Sequence, residues 1–251
     1  MRKSCYTKRR MPSRFFQPLV DLVFPLFCYI CGAEGHTWCR PDQQKLPWPL
    51  CFACRRGYHP HDSQPGCPVS QPLIWLGPYH DLRLRTALYQ WKYSGYWQIS
   101  QDWAASLAKQ LQTHFSEKGL LVPIPLHWRR RLARGYNQTA ILTNQISRLS
   151  TWPRADLLIR TRTTAVQAKL KTDERVANVA GAFAIASKVD AIFPDKKPVW
   201  LIDDVATTGA TLAAAQGVLQ RVDWTVAGII VVAATGMATS QIFSTNPNHQ
   251  E

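Results

Sequence analysis

Long apolar runs are missing from this chain of 251 residues. None approaches the roughly 20 consecutive residues that a membrane-crossing helix requires. The early candidate, Leu19 to Ile30, is interrupted by Asp21 and Pro25 and lacks a small-residue cleavage site, so export is not expected and a cytoplasmic protein is. Acidic residues are scarce: 16 Asp plus Glu face 30 Lys plus Arg, for a formal net charge of +14. That imbalance favours polyanionic partners held through phosphate contacts, but does not distinguish DNA, RNA and nucleotide. Cysteine is absent beyond Cys67, and no repeat or low-complexity tract is present. At 46% hydrophobic and 18% charged residues, the chain is too apolar for wholesale disorder.

What is present changes character along the chain. Residues 1–20, with Arg2, Lys3, Lys8, Arg9, Arg10 and Arg14, read as a basic tail expected to be flexible. Residues 21–72 form a Cys-, Pro- and Gly-rich module with little helix or strand pattern, so something other than a hydrophobic core must hold it. From Leu73 strand-like and helix-like blocks alternate, which places the main domain at 73–240, with a flexible end at 241–251. Leu73 to Tyr79 reads as a strand, and Asp81 can cap a helix running to about Tyr93. Further helices are expected near Ile99 to Phe115, Asn137 to Leu149 and Ala210 to Val222. Strands are expected at Leu120 to Ile124, Val199 to Ile202 and Val226 to Ala233. The last two strands are almost wholly apolar and flank a helix, the signature of a parallel sheet covered on both faces.

The chemistry concentrates in Val199-Trp-Leu-Ile-Asp-Asp-Val-Ala-Thr-Thr-Gly-Ala-Thr211. A hydrophobic strand delivers Asp203 and Asp204 to the carboxyl edge of the sheet, where α/β proteins bind ligands. Gly209 permits a tight turn, and the N–H groups of Ala206, Thr207, Thr208, Gly209, Ala210 and Thr211 can then surround a phosphate at the next helix start. The two carboxylates suit the vicinal hydroxyls of a ribose, or a divalent cation chelated with them. A strand-end turn followed by a Thr cap would not require two adjacent acids, two adjacent threonines and a glycine in that order. The Gly-Lys-Ser/Thr ending of a Walker loop is missing.

The cysteines carry a second pattern. Cys28-x-x-Cys31 and Cys51-x-x-Cys54 have close to the ribbon spacing for tetrahedral structural Zn²⁺, with free thiols or an iron centre as the alternatives. The metal would supply folding free energy to a segment short of core. Cys39 and Cys67 have Asp42 and Gln64, not cysteine, at the Cys-x-x-Cys spacing, so one zinc per chain is expected.

The Val199 to Thr211 segment resembles the ribose-5-phosphate signature of type I phosphoribosyltransferases. With Val122-Pro-Ile-Pro-Leu-His127, Arg134-Gly-Tyr-Asn-Gln138, Arg160 to Leu170, Arg175-x-x-Asn178, Lys92-Tyr-x-Gly95 and the amino-terminal cysteines, the chain from Cys28 to Ala234 is similar to the ComF family of competence-associated proteins, including its GntX-like members. The resemblance implies a type I phosphoribosyltransferase-like parallel sheet flanked by helices, joined to a small amino-terminal zinc ribbon. It also implies a ligand, 5-phosphoribosyl diphosphate with Mg²⁺, whose ribose hydroxyls meet Asp203 and Asp204. His127, Arg134 and Asn137 become candidates for the diphosphate. Arg162, Gln167 and Arg175 become candidates on a hood, residues 160–178, that closes over the ligand. ComF proteins are linked to uptake and use of external single-stranded DNA in natural transformation, so the implied partners are single-stranded DNA and DNA-uptake helicase or recombination-loading proteins. Whether the site turns over is left open. The alternatives are an active salvage phosphoribosyltransferase and a DNA-binding adaptor with a vestigial site. Trp38, Trp48, Tyr58 and Trp128 are candidate base-stacking residues.

Overall fold

The computed structural model describes residues 49–52, 71–93, 99–126, 136–161, 181–187 and 195–235. Within them lie β1 (Leu50–Cys51), β2 (Pro72–Ile74), β3 (Gly77–Pro78), α1 (Leu82–Tyr93), α2 (Ile99–His114), β4 (Leu120–Pro123), α3 (Gln138–Ser150), β5 (Leu158–Arg160), β6 (Phe183–Ile185), β7 (Val199–Ala206), α4 (Ala210–Gln220) and β8 (Val226–Ala234). No described helix is long and apolar enough to cross a membrane.

The central sheet runs in the order β1-β2-β8-β7-β4, with β3 pairing further along β8. All of its pairings are parallel except that of β1 with β2 at the edge. Period-two alternation sends successive residues to opposite faces. Leu201, Ile229 and Val231 therefore pack on one side with Leu212, Ala215 and Leu219 of α4. Ile202, Ile230 and Val232 pack on the other with side chains from α1, α2 and α3. The expected parallel sheet, flanked by helices on both faces, is present.

Local chemistry explains the element ends. The Oδ1 of Asp81 accepts hydrogen bonds from the N–H groups of Arg83 at 2.8 Å and Leu84 at 3.1 Å, which caps α1 as expected. The expected strand over Leu73 to Tyr79 is divided into β2 and β3, yet stays beside β8: the Leu76 N–H donates to Val232 O and the Tyr79 N–H to Ala234 O. β7 is longer than the apolar run Val199 to Ile202. Asp203, Val205 and Ala206 still pair with Val231, Ala233 and Ala234, because ladder bonds need only backbone groups. At its start a register irregularity between Val199 and Trp200 accompanies a tight fit: a Cβ on Gly228 would lie 2.5 Å from the Trp200 ring. The stretch without clear sequence pattern contains an antiparallel pair, β5 with β6, in which Arg160 opposes Phe183. β1 lies within residues 21–72, and it joins the cysteine-rich stretch to the edge of the sheet.

Candidate sugar-phosphate site

β7 carries its acids to the carboxyl end of the sheet, and the chain turns through Thr207 to Gly209 into α4. Gly209 adopts φ +79°, the left-handed region, which is why a glycine stands there. It is the N-cap of α4 and makes no side-chain cap, although Thr208 Oγ1 accepts from the Ala210 N–H at 3.4 Å. First-turn N–H groups and the helix dipole suit an anion.

β4 brings a second wall. The Ile124 N–H donates to Ile202 O at 2.8 Å, holding Ile124 to Leu126 beside the acidic pair. Together these segments enclose a cavity of about 210 Å³, whose lining includes Asp203, Asp204, Thr207, Thr211, Lys92 and Arg160.

Asp203 and Asp204 are adjacent like charges on a partly buried strand end, and their surroundings are uneven. The Asp204 N–H donates to Asp203 Oδ1 at 2.8 Å. Lys92 Nζ, from the last turn of α1, lies 2.7 Å from Asp204 Oδ2, with the two side chains 20% and 24% exposed. Desolvation, first, and the neighbouring Asp204 charge, second, push the Asp203 carboxyl from its ordinary 3.8 up to about 7. The Asp204 amide, Lys92 and Arg160 act in the opposite direction. The Arg160 guanidinium carbon sits 5.3 Å from the centroid of the Phe183 ring. The cavity thus combines two carboxylates, two cations and a phosphate-type loop, a set that fits a polyhydroxylated phosphoester.

Of the residues singled out from sequence, Asp203, Asp204, Ala206, Thr207, Gly209, Ala210 and Thr211 line this cavity, and Thr208 belongs to the same turn. Asn137 is placed at the N-cap of α3 without a cap bond, and its Nδ2 donates to Ile124 O at 3.4 Å; it is not among the residues lining the cavity. His127, Arg134, Arg162, Gln167 and Arg175 lie outside the described residues, as do Cys28, Cys31 and Cys54; of Cys51, the backbone forms part of β1. Lys92 and Arg160 received no role from sequence although both stood inside quoted motifs. A lone lysine ending a helix with no acidic residue was the available signal for Lys92. Arg160, at the end of β5 and paired with Phe183 of β6, lines the cavity.

No family model matches the chain. It is 38% identical over 93 residues to "Competence protein F" of Haemophilus influenzae, a match covering 37% of this chain and 40% of that protein's length. It is 27% identical over 229 residues to "DNA utilization protein YhgH" of Escherichia coli, covering 80% of this chain and 93% of that protein. Among solved structures, adenine phosphoribosyltransferase from Leishmania donovani matches with a TM-score of 0.34 at 11% identity, covering 61% of this chain and 72% of that one. The chain is thus a homologue of competence protein F over 93 residues and of DNA utilization protein YhgH over most of its length, in line with the resemblance its motifs carry.

Proposed function

We propose that this chain binds 5-phosphoribosyl diphosphate in the cavity at the end of β7 and acts in the cytoplasm in the uptake or utilisation of DNA. The role in DNA follows the names of its relatives. The ligand follows from one observation: the acidic pair, the Gly209 turn and two cations converge on a single cavity. Asp203 and Asp204 accept the ribose hydroxyls. The 5-phosphate sits against the loop from Ala206 to Thr211, and Arg160 with Lys92 balances its charge. Magnesium, bound with the diphosphate, supplies further counter-charge to that group. Zn²⁺ is held by Cys28, Cys31, Cys51 and Cys54 as a structural ion. Single-stranded DNA is the macromolecular partner, drawn by the +14 net charge.

Calorimetry with 5-phosphoribosyl diphosphate and Mg²⁺ tests the site. Saturable binding in the wild type, weakened at least tenfold by Asp203→Ala/Asp204→Ala, is the expected result. Equal affinity in the double variant would remove the ligand assignment. Incubation with a panel of nucleobases in the same preparation reads turnover separately, as nucleotide formed.

A further inference from the structure

The outer face of α1 is not explained by the sugar-phosphate site. Its inner face is core: Leu84, Ala87, Leu88 and Trp91 are buried. Leu82, Thr86, Tyr89 and Tyr93 recur at i, i+4, i+7 and i+11, one continuous stripe on the opposite side of a 3.6-residue helix. Leu82 is 65% exposed, and Tyr89 and Tyr93 are each 62% exposed. The two tyrosines stand against each other, with centroids 4.9 Å apart and planes inclined at 43°. A solvent-facing pair of large rings needs an account, because water is an unfavourable neighbour for so much apolar surface.

The stripe has a charged edge. Arg85 and Lys92, at i+3 and i+10 from Leu82, flank the same side of it, and the helix contains no acidic residue. The stripe also leads somewhere: Tyr93 and Lys92 both line the cavity that holds Asp203 and Asp204. Flat rings in a row, cations along one edge and a phosphate-type cavity at the end match one class of ligand. Bases of an unpaired strand stack on rings, and its phosphodiesters run along cations.

We infer that the outer face of α1 is a docking track for single-stranded nucleic acid, with bases stacked on Tyr89 and Tyr93 and the backbone following Arg85 and Lys92 toward the cavity. The inference rests on the nucleic-acid reading above and assigns it a surface. Trp38, Trp48, Tyr58 and Trp128, the aromatics marked from sequence, lie outside the described residues.

The test is fluorescence anisotropy with a labelled thymidine oligomer of about 16 nucleotides, matched in length to an oligonucleotide-binding groove. Tyr89→Ala is the decisive variant, since Tyr89 does not line the cavity. It should weaken oligomer binding roughly 10-fold and leave the affinity for 5-phosphoribosyl diphosphate unchanged. Tyr89→Phe should retain binding, because stacking needs the ring and not the hydroxyl. Arg85→Glu should lower the slope of log affinity against log salt by about one phosphate contact. A blunt duplex of the same length should bind less tightly than the single strand.

Oligomer binding that is unchanged in Tyr89→Ala overturns the track and leaves the nucleic-acid reading standing. A wild-type chain that binds no oligomer removes both. If sedimentation instead shows a dimer that Tyr89→Ala separates, with oligomer binding intact, the stripe is a contact between copies of this chain and the track is again overturned. Equal affinity for duplex and single strand refutes the stacking mode.

Discussion

Asp203 stands under opposed influences: burial and the Asp204 charge hold its proton on, while Lys92, Arg160 and the Asp204 amide favour its release. The raised side prevails, at about 7. An unfolded chain releases this proton near the ordinary 3.8, so the folded form is relatively favoured at low pH and loses that advantage as pH rises from about 4 to about 7. Asp203→Asn cannot ionise and escapes the loss. Its unfolding free energy by urea titration should exceed that of the wild type by more at pH 8 than at pH 5, a difference on the order of 1–3 kcal/mol after allowance for partial exposure. An equal offset at both pH values would show that Asp203 ionises in the folded chain much as it does in the unfolded one. The same proton bears on the proposed ligand. Ribose hydroxyls donate best to a carboxylate, so binding near pH 6.5 should release protons, visible as calorimetric heats that vary with the ionisation enthalpy of the buffer.

The strand-turn-helix unit of β7 and α4 is where an element, more than any residue, makes the site. Its pivot is Gly209, at φ +79°. A Cβ there would meet Phe52 Cζ at 2.8 Å, so the turn is closed from outside by a ring that follows β1 directly. Gly209→Ala therefore combines backbone strain with a clash. We expect a loss of about 1–3 kcal/mol in stability by urea titration and a parallel loss of 5-phosphoribosyl diphosphate affinity. Adding Phe52→Ala removes the clash and leaves the dihedral strain, so the double variant should recover only part of the affinity. Full recovery would assign the whole effect to the ring. Among the elements expected from sequence, α1, α2, α3, α4, β4 and β8 were legible because their apolar spacing and caps are local. β5 and β6 were not: Leu158–Arg160 and Phe183–Ile185 are too short for a periodic signal and take their form from pairing with each other.

For the whole molecule, the notable feature is how the cysteine-rich stretch meets the sheet. Leu50 and Cys51 pair with Leu73 and Pro72, the Phe52 N–H donates to Gln71 O, and buried Gln71 donates through Nε2 to Val226 O at 2.8 Å. One of the proposed zinc ligands is thus joined through the backbone to the edge of the main core. Metal analysis of the purified chain should return one zinc per molecule, and removal by a chelator should lower the melting temperature of the main transition. Two zincs per molecule would mean that Cys39 and Cys67 complete a second site. Melting unchanged by chelation would mean that no metal in the cysteine-rich stretch supports the sheet.

The sequence by itself determined what is local: the acidic pair and the glycine turn, the capping of α1 by Asp81, and the apolar strands that alternate faces in a parallel sheet. Each follows from adjacent residues, through dihedral limits, capping or side-chain period. Tertiary structure decided which charges meet the acids. Lys92 arrives from the end of α1 and Arg160 from β5, and neither approach is encoded near residue 203. It also decided that the acids stay within β7, because β8 continues beside them, and that Phe52 closes the turn. Such long-range contacts depend on how the helices and strands pack on the finished sheet, which local patterning does not encode.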